Sequence, residues 1–359
     1  MSDFKDIQRK LLGANKKKVQ LNLDKGLSTG STLLNLACSG QAHIGFLPGR
    51  YYFLVGDTNS GKTWLSLTCL AEASINRHYD SYRFIYDGPE RGALMDIEKF
   101  FGKAVRERIE PPHWHGMEAL HSATVEEFLF HVDDAFELAK PFIYVLDSMD
   151  ALSSEEDEQK FDERKQAHWH DKQVSGSYGV AKAKANSSGL RRIINQLEKS
   201  QSILIIISQT RDKLSFGFDK KTRAGGRALS FYATIELWSS VKEKISRVVR
   251  GKKRHIGNLC KVQVRRTRIS GSEYTIDLPI YRSLGIDDLG SCVDYLIDEG
   301  QWSKNGGTIQ AREFDFKGSR EQLIKQIEDG FKEKTLRNLV AQLWAEIEEA
   351  CMLKRKKRY

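Results

Sequence analysis

The chain has 359 residues, with 57 Lys and Arg against 48 Asp and Glu and a net charge of +9. At 40% hydrophobic and 29% charged, its composition is that of a folded protein and excludes a disordered one. Its longest apolar runs, such as Ile203–Ile207, are strand-sized and too short to span a membrane; the basic, polar start lacks a signal peptide's apolar stretch; and five scattered cysteines without a C-x-x-C pair argue against a disulfide framework or zinc cage.

In chain order, Asp3–Leu12 reads as a short amphipathic helix with Phe4, Ile7, Leu11 and Leu12 on one side, followed by the basic Lys16–Lys18. So short a helix is marginal alone and needs a surface to pack on. From Gly45 the pattern turns α/β, with strands at Tyr51–Val55, Tyr82–Tyr86, Phe142–Leu146 and Ile203–Ile207 separated by helical segments. Continuous apolar strands alternating with helices predict a mostly parallel sheet covered on both faces. Asp150–Lys172 is densely charged, has no apolar period and runs into Ser175-Gly176-Ser177, so a mobile loop is expected there. Ala228–Trp238 and Cys260–Pro279 are strand-rich, and Val241–His255 between them is strongly basic. Past Pro279 a smaller unit is expected, helical near Gly290–Asp298, Ser319–Phe331 and Leu336–Met352, before the five cations Lys354–Arg358. The pairs His113/His115 and His168/His170 lack further ligand spacing and make poor zinc sites.

The chemistry concentrates at Gly56-Asp57-Thr58-Asn59-Ser60-Gly61-Lys62-Thr63, a complete G-x-x-x-x-G-K-T between a buried strand and a helix. Glycines let the backbone fold tightly so that N–H groups point at phosphate oxygens, and the helix N-terminus adds positive potential. Lys62 would reach the β/γ-phosphates of ATP and Thr63 would ligate Mg2+. The apolar run Phe142–Leu146 ends in Asp147, a candidate partner of the metal; a strand-end cap is its plain alternative. Open α/β sheets bind ligands at strand ends. There, Asp87-Gly88-Pro89-Glu90 offers a carboxylate to activate water, Glu90 first and Asp87 in reserve, and Ser208-Gln209 offers an amide to sense the γ-phosphate.

Taken together, several stretches resemble the RecA family of ATP-dependent recombinases in its bacterial and bacteriophage forms. They are Leu27–Leu34 and Ile44–Arg50 before the phosphate loop, Asp147-Ser148 followed by Ala151-Leu152, Ser208-Gln209, Gly225–Ala233, Val262–Ile269, Gly285-Ile286 and Gly300-Gln301-Trp302. The resemblance spans roughly residues 28 to 305. It implies that Gln209 couples nucleotide to a second DNA-binding loop, Thr210–Arg227, carrying Arg211, Lys213, Lys220, Lys221, Arg223 and Arg227 with Phe216 and Phe218, and closed by Gly225 and Gly226. Cations beside aromatics suit a single-stranded nucleic-acid backbone. A first loop would lie ahead of Gly179, and Lys184 and Arg191, seven apart on one helix face, are similar to the family's phosphate-contacting pair. Arg266 and Arg268 resemble the cations that reach the neighbouring subunit's ATP, and alternation along a strand gives them one face. Phe231 is similar to the family's interface aromatic, and the N-terminal helix to its packing arm.

This chain departs from the pattern in four places. Asp87 and Glu90 are spaced one residue wider than usual, the first-loop region is longer, Ser230 replaces a usual lysine, and the tail is basic where many members are acidic. The expected organisation is an α/β RecA-like P-loop core at 28–278, an N-terminal oligomerisation arm at 1–27 and a smaller C-terminal α/β domain at 279–359. The implied activity is that of a DNA-dependent ATPase that uses ATP and Mg2+, self-associates as a helical filament on single-stranded DNA, pairs it with double-stranded DNA and exchanges strands. Single-strand-binding and mediator proteins are further partners that the resemblance suggests. No membrane partner is expected, and the location would be the cytoplasm, in a host if the chain is phage-encoded. A hexameric helicase or translocase on the same core, or an ATP-gated DNA-coating protein with little turnover, are the competing readings.

Overall fold

The computed structural model describes residues 25–90, 96–168, 180–212, 221–223 and 226–355. The expected helix at Asp3–Leu12, the loop just ahead of Gly179, and Lys213, Phe216, Phe218, Lys220, Gly225 and Lys356–Arg358 lie outside the described residues.

Helix α1 (Thr32–Ser39) is followed by β1 (Arg50–Gly56), α2 (Lys62–Ser74), β2 (Arg83–Asp87), the short α3 (Ile97–Phe101) and α4 (Lys103–Arg108), and β3 (Ile109–Glu110). A small hairpin, β4 (His113–His115) with β5 (Glu118–Leu120), precedes α5 (Val125–Glu137) and β6 (Phe142–Leu146). Then come α6 (Glu155–His168), α7 (Val180–Ser200), β7 (Ile203–Asp212), β8 (Lys221–Arg223) and α8 (Arg227–Tyr232). Two long strands, β9 (Ile235–Val249) and β10 (Lys252–Thr267), lead to β11 (Tyr274–Tyr281), β12 (Gly285–Ile286) and α9 (Asp288–Asp298). The chain finishes with β13 (Ser303–Asn305), β14 (Thr308–Ala311), β15 (Phe316–Gly318), α10 (Arg320–Asp329) and α11 (Glu333–Cys351).

The main sheet runs β12-β11-β10-β9-β1-β7-β6-β2-β3, with β8 paired to β7. Its β9-β1-β7-β6-β2-β3 portion is parallel, and β9 through β12 are joined antiparallel. Strand β1 shows why the centre is buried on both faces. Tyr52 and Leu54 join one core with α1 and α2, whereas Tyr51, Phe53 and Val55 join the other with α5 and α7. A strand hydrophobic at every position has this placement available and little else. Strands β13–β15 and helices α9–α11 cover the antiparallel side, where Asp288 accepts from Thr32 N at 2.6 Å and pairs with Arg337 at 3.1 Å. Among the described residues no helix is long and apolar enough to cross a membrane.

Two local expectations are corrected. The charged stretch expected as a loop contains α6, whose helix is set by caps and charge. Ser154 Oγ accepts from Asp157 N at 3.3 Å, four acids fill the first turn, and Glu156 pairs with Lys160 one turn on at 2.5 Å. With no apolar stripe there was no period to detect. The strand-rich reading of Ala228–Trp238 holds only from Ile235; Arg227–Tyr232 is helical and buries Leu229 against the sheet.

Candidate functional site

The phosphate loop closes between β1 and α2 in the shape its glycines permit. A Cβ on Gly56 would sit 2.2 Å from Ser239 Oγ, and one on Gly61, at φ 86°, would sit 2.3 Å from Ile280 Cδ1. Asn59 takes φ 62°, a left-handed conformation that asparagine tolerates. Ser60 Oγ donates to Asp57 O at 2.7 Å, and Lys62 Nζ donates to the carbonyls of Gly56 and Asp57 at 2.8 and 2.7 Å. Burial lowers the Lys62 pKa, and the nearby carboxylates, Asp147 foremost, oppose that shift. The lysine is therefore held over the loop inside an acidic surround.

Opposite it, Asp147 Oδ2 accepts from Thr63 Oγ1 at 2.6 Å and from Tyr86 OH at 2.8 Å. Burial raises the Asp147 pKa, while these two hydrogen bonds pull it back. Two hard oxygen donors in contact, one a carboxylate whose desolvation a cation would relieve, could hold a hard divalent cation such as Mg2+. The glycine-walled loop with Lys62 fits the phosphates of a nucleotide.

Glu90, Gln209 and Ser148 meet beside this pair. Gln209 Nε2 donates to Glu90 Oε1 at 3.1 Å and Ser148 Oγ donates to the same oxygen. Glu90 lies with Lys62, Thr63 and Asp147 in one cavity of about 710 Å³. Asp87 has a different setting. It is fully buried and accepts from Ser122 N at 3.0 Å, Ser122 Oγ at 2.5 Å and Tyr144 OH at 2.8 Å. Its oxygens are committed to the joint between β2, β6 and the residues before α5, away from the cavity.

Strand β7 carries the site outward. Gln209 N donates to Asp150 Oδ2 at 2.6 Å, and the next residue, Thr210, donates to Asp57 of the phosphate loop. Thr210 pairs with Arg223, and Arg211 with Thr222, so the second expected loop leaves from a β-stem anchored on the nucleotide cavity. Gly226, at φ 81°, begins α8 close against Ala183 of α7, with Arg227 exposed. On α7, Lys184 and Arg191 are both exposed, and Arg191 Nε donates to Tyr232 OH at 3.3 Å. Lys182, which sequence reading passed over, ties that helix to the segment following β6 by donating to Met149 O and Leu152 O, each at 2.6 Å.

Arg266 and Arg268 share one face. Arg266 Nη1 donates to Ser230 O at 3.0 Å, and both guanidiniums donate to Phe231 O at the end of α8. Burial and the Arg266 charge both lower the Arg268 pKa. Neither arginine lines the cavity around their own chain's Lys62, and the Phe231 ring beside them is 61% exposed.

Sequence reading missed one wall of the cavity. Lys244, His255, Asn258, Tyr281 and Arg282 line it from the antiparallel strands. The only sequence signal was the basic character of Val241–His255, which speaks of charge and not of proximity to Lys62.

Known proteins are similar to this chain in sequence. A family model described as the RecA N-terminal domain matches residues 145–287. Protein RecA of Chlorobaculum tepidum is 27% identical over 318 residues, covering 88% of this chain and 82% of the relative. Protein RecA of Clostridioides difficile is 27% identical over 305 residues, 84% and 78% of the two chains, and that of Chloroherpeton thalassium 28% over 289 residues, 78% and 70%.

Proposed function

We propose that the chain is a member of the RecA family, whose N-terminal domain model matches residues 145–287, and that it is an ATP-dependent recombination protein. It would assemble as a helical filament on single-stranded DNA in the cytoplasm, pair it with duplex DNA and exchange strands. The observation that carries this reading is the direct wiring of cavity to loop stem: Gln209 on Glu90, and Thr210 on Asp57. A change at the γ-phosphate position is thereby felt at the base of the loop that would hold DNA.

In this reading Lys62 neutralises charge on the phosphates of ATP, and Thr63 and Asp147 hold Mg2+, which would supply further charge neutralisation. Glu90 accepts a proton from the attacking water, with Ser148 and Gln209 orienting its carboxylate. Asp87 is assigned to holding the fold. Arg266 and Arg268 serve the ATP of a neighbouring subunit, which makes turnover depend on assembly. Lys184, Arg191, Arg211, Arg223, Arg227 and the loop residues Lys213, Phe216, Phe218, Lys220, Gly225 and Gly226 take the single strand. Exposed Phe231 is the aromatic offered to the neighbour. Imaging the protein with single-stranded DNA and a slowly hydrolysed ATP analogue, then assaying strand exchange in the same preparation, tests the proposal. Open helical filaments with exchange support it; uniform closed rings that unwind duplex support the helicase reading instead.

A further inference from the structure

Strands β9 and β10 pair from Ile235↔Thr267 out to Val249↔Lys252 and form an arm whose outer half is exposed. Between Lys244 and His255 the arm carries Lys244, Arg247, Arg250, Lys252, Lys253 and Arg254 and no carboxylate. Where it descends to the sheet, the ladder shifts register between His255 and Gly257, and three side chains link up at that point.

Arg282 Nη2 lies 2.8 Å from His255 Nδ1, His255 Nε2 lies 2.9 Å from Asn258 Oδ1, and Asn258 Nδ2 lies 3.3 Å from Asn59 O. The roles along this chain are set by its first member. A guanidinium can only donate, so Nδ1 of His255 accepts and the imidazole carries its proton on Nε2. That proton goes to Asn258 Oδ1, which leaves the Asn258 amide hydrogens for the Asn59 carbonyl. Every donor therefore points toward the phosphate loop. The receiving carbonyl belongs to the loop residue in the left-handed conformation. Because a peptide is planar, holding that carbonyl fixes the orientation of the whole Asn59–Ser60 peptide.

We infer that Arg282, His255 and Asn258 are positioning residues, a one-way relay of hydrogen bonds that braces the tip of the phosphate loop from the root of the cationic arm. The inference rests on the reading of the loop as a nucleotide site. It adds that the loop's grip on nucleotide depends on three residues from the antiparallel half of the sheet, none of which need touch the reacting atoms. The arm and the loop then behave as one mechanical unit.

The test uses the full chain and two readouts, the affinity for a fluorescent ATP analogue without DNA, and kcat and KM for ATP. His255→Ala and Asn258→Ala should each weaken nucleotide binding about five- to tenfold, as loss of one positioned hydrogen bond would, and raise KM with little change in kcat. The double variant should be no weaker than either single, because both cut one relay. His255→Gln is the decisive rescue: its Oε1 can accept from Arg282 and its Nε2–H can donate to Asn258, so affinity should stay within about twofold of wild type. Wild-type affinity in His255→Ala overturns the inference. So does a His255→Gln variant as weak as His255→Ala. Because the affinity readout needs neither DNA nor turnover, a failure of the recombination reading would show separately, as ATP turnover indifferent to single-stranded DNA.

Discussion

The two halves of the main sheet do different work. In the parallel half, strands β1, β2, β6 and β7 are buried on both faces, and their polar groups emerge together at one end, where Lys62, Thr63, Asp147, Glu90 and Gln209 bond to one another or to the loop. In the antiparallel half, β9 and β10 carry most of their cations outside the core, on the exposed arm and at Arg266 and Arg268 toward the other end. The lesson is one of divided labour. The parallel half supplies the candidate phosphate loop and the acids beside it, and the antiparallel half supplies one wall of that cavity together with two arginines, Arg266 and Arg268, that lie outside it.

The largest effect should come from separating those contributions. Arg266→Ala combined with Arg268→Ala should reduce ATP turnover about 10³-fold while leaving nucleotide affinity close to wild type, as removal of a cation supplied from a neighbour does. Lys62→Ala should lose about 10²–10³-fold and bind nucleotide weakly. Mixing the two inactive proteins sharpens the contrast, because a mixed assembly contains intact loops facing intact arginines. Partial recovery of turnover is expected, and none would mean that both halves act within one subunit.

Next in size is the contrast between Asp87, the last residue of β2, and Glu90 just beyond it. Glu90→Gln should lower kcat about 10²-fold with nucleotide binding kept. Asp87→Asn should act through stability, costing about 1–3 kcal/mol in chemical denaturation, because it removes charge from a buried acceptor of three hydrogen bonds. The reverse pattern would exchange their roles. The smallest effect belongs to the arm. Its six cations without a carboxylate suit a duplex phosphate backbone, so replacing Arg250 and Lys253 with Gln should lower the salt dependence of duplex DNA binding by roughly one unit of slope for each phosphate no longer neutralised, with ATP turnover unchanged.

How well each region could be read from sequence follows the same division. Strands β1, β6 and β7 are continuous apolar runs and the phosphate loop is a fixed string, so both were readable directly; Asp147 follows from its place at a strand end. Helix α6 was not, because its stability lies in Ser154 and in charge order, which carry no hydrophobic period. The arm's return to the phosphate loop was hidden for another reason. Asn258 and Asn59 are 199 positions apart, and no pattern within either segment announces that one carboxamide will meet the other's carbonyl. Spacing along the chain reports what a strand or helix presents, whereas a bulge such as that after His255 decides what it meets.

We propose that the nucleotide cavity and the stem of the proposed DNA loop are one coupled device through Gln209–Glu90 and Thr210–Asp57. Steady-state ATP hydrolysis by the wild-type chain, with and without single-stranded DNA, tests it most directly. Adding single-stranded DNA should raise kcat markedly, and Gln209→Ala should lose that rise. Equal rates with and without DNA, or an undiminished rise in Gln209→Ala, would contradict it.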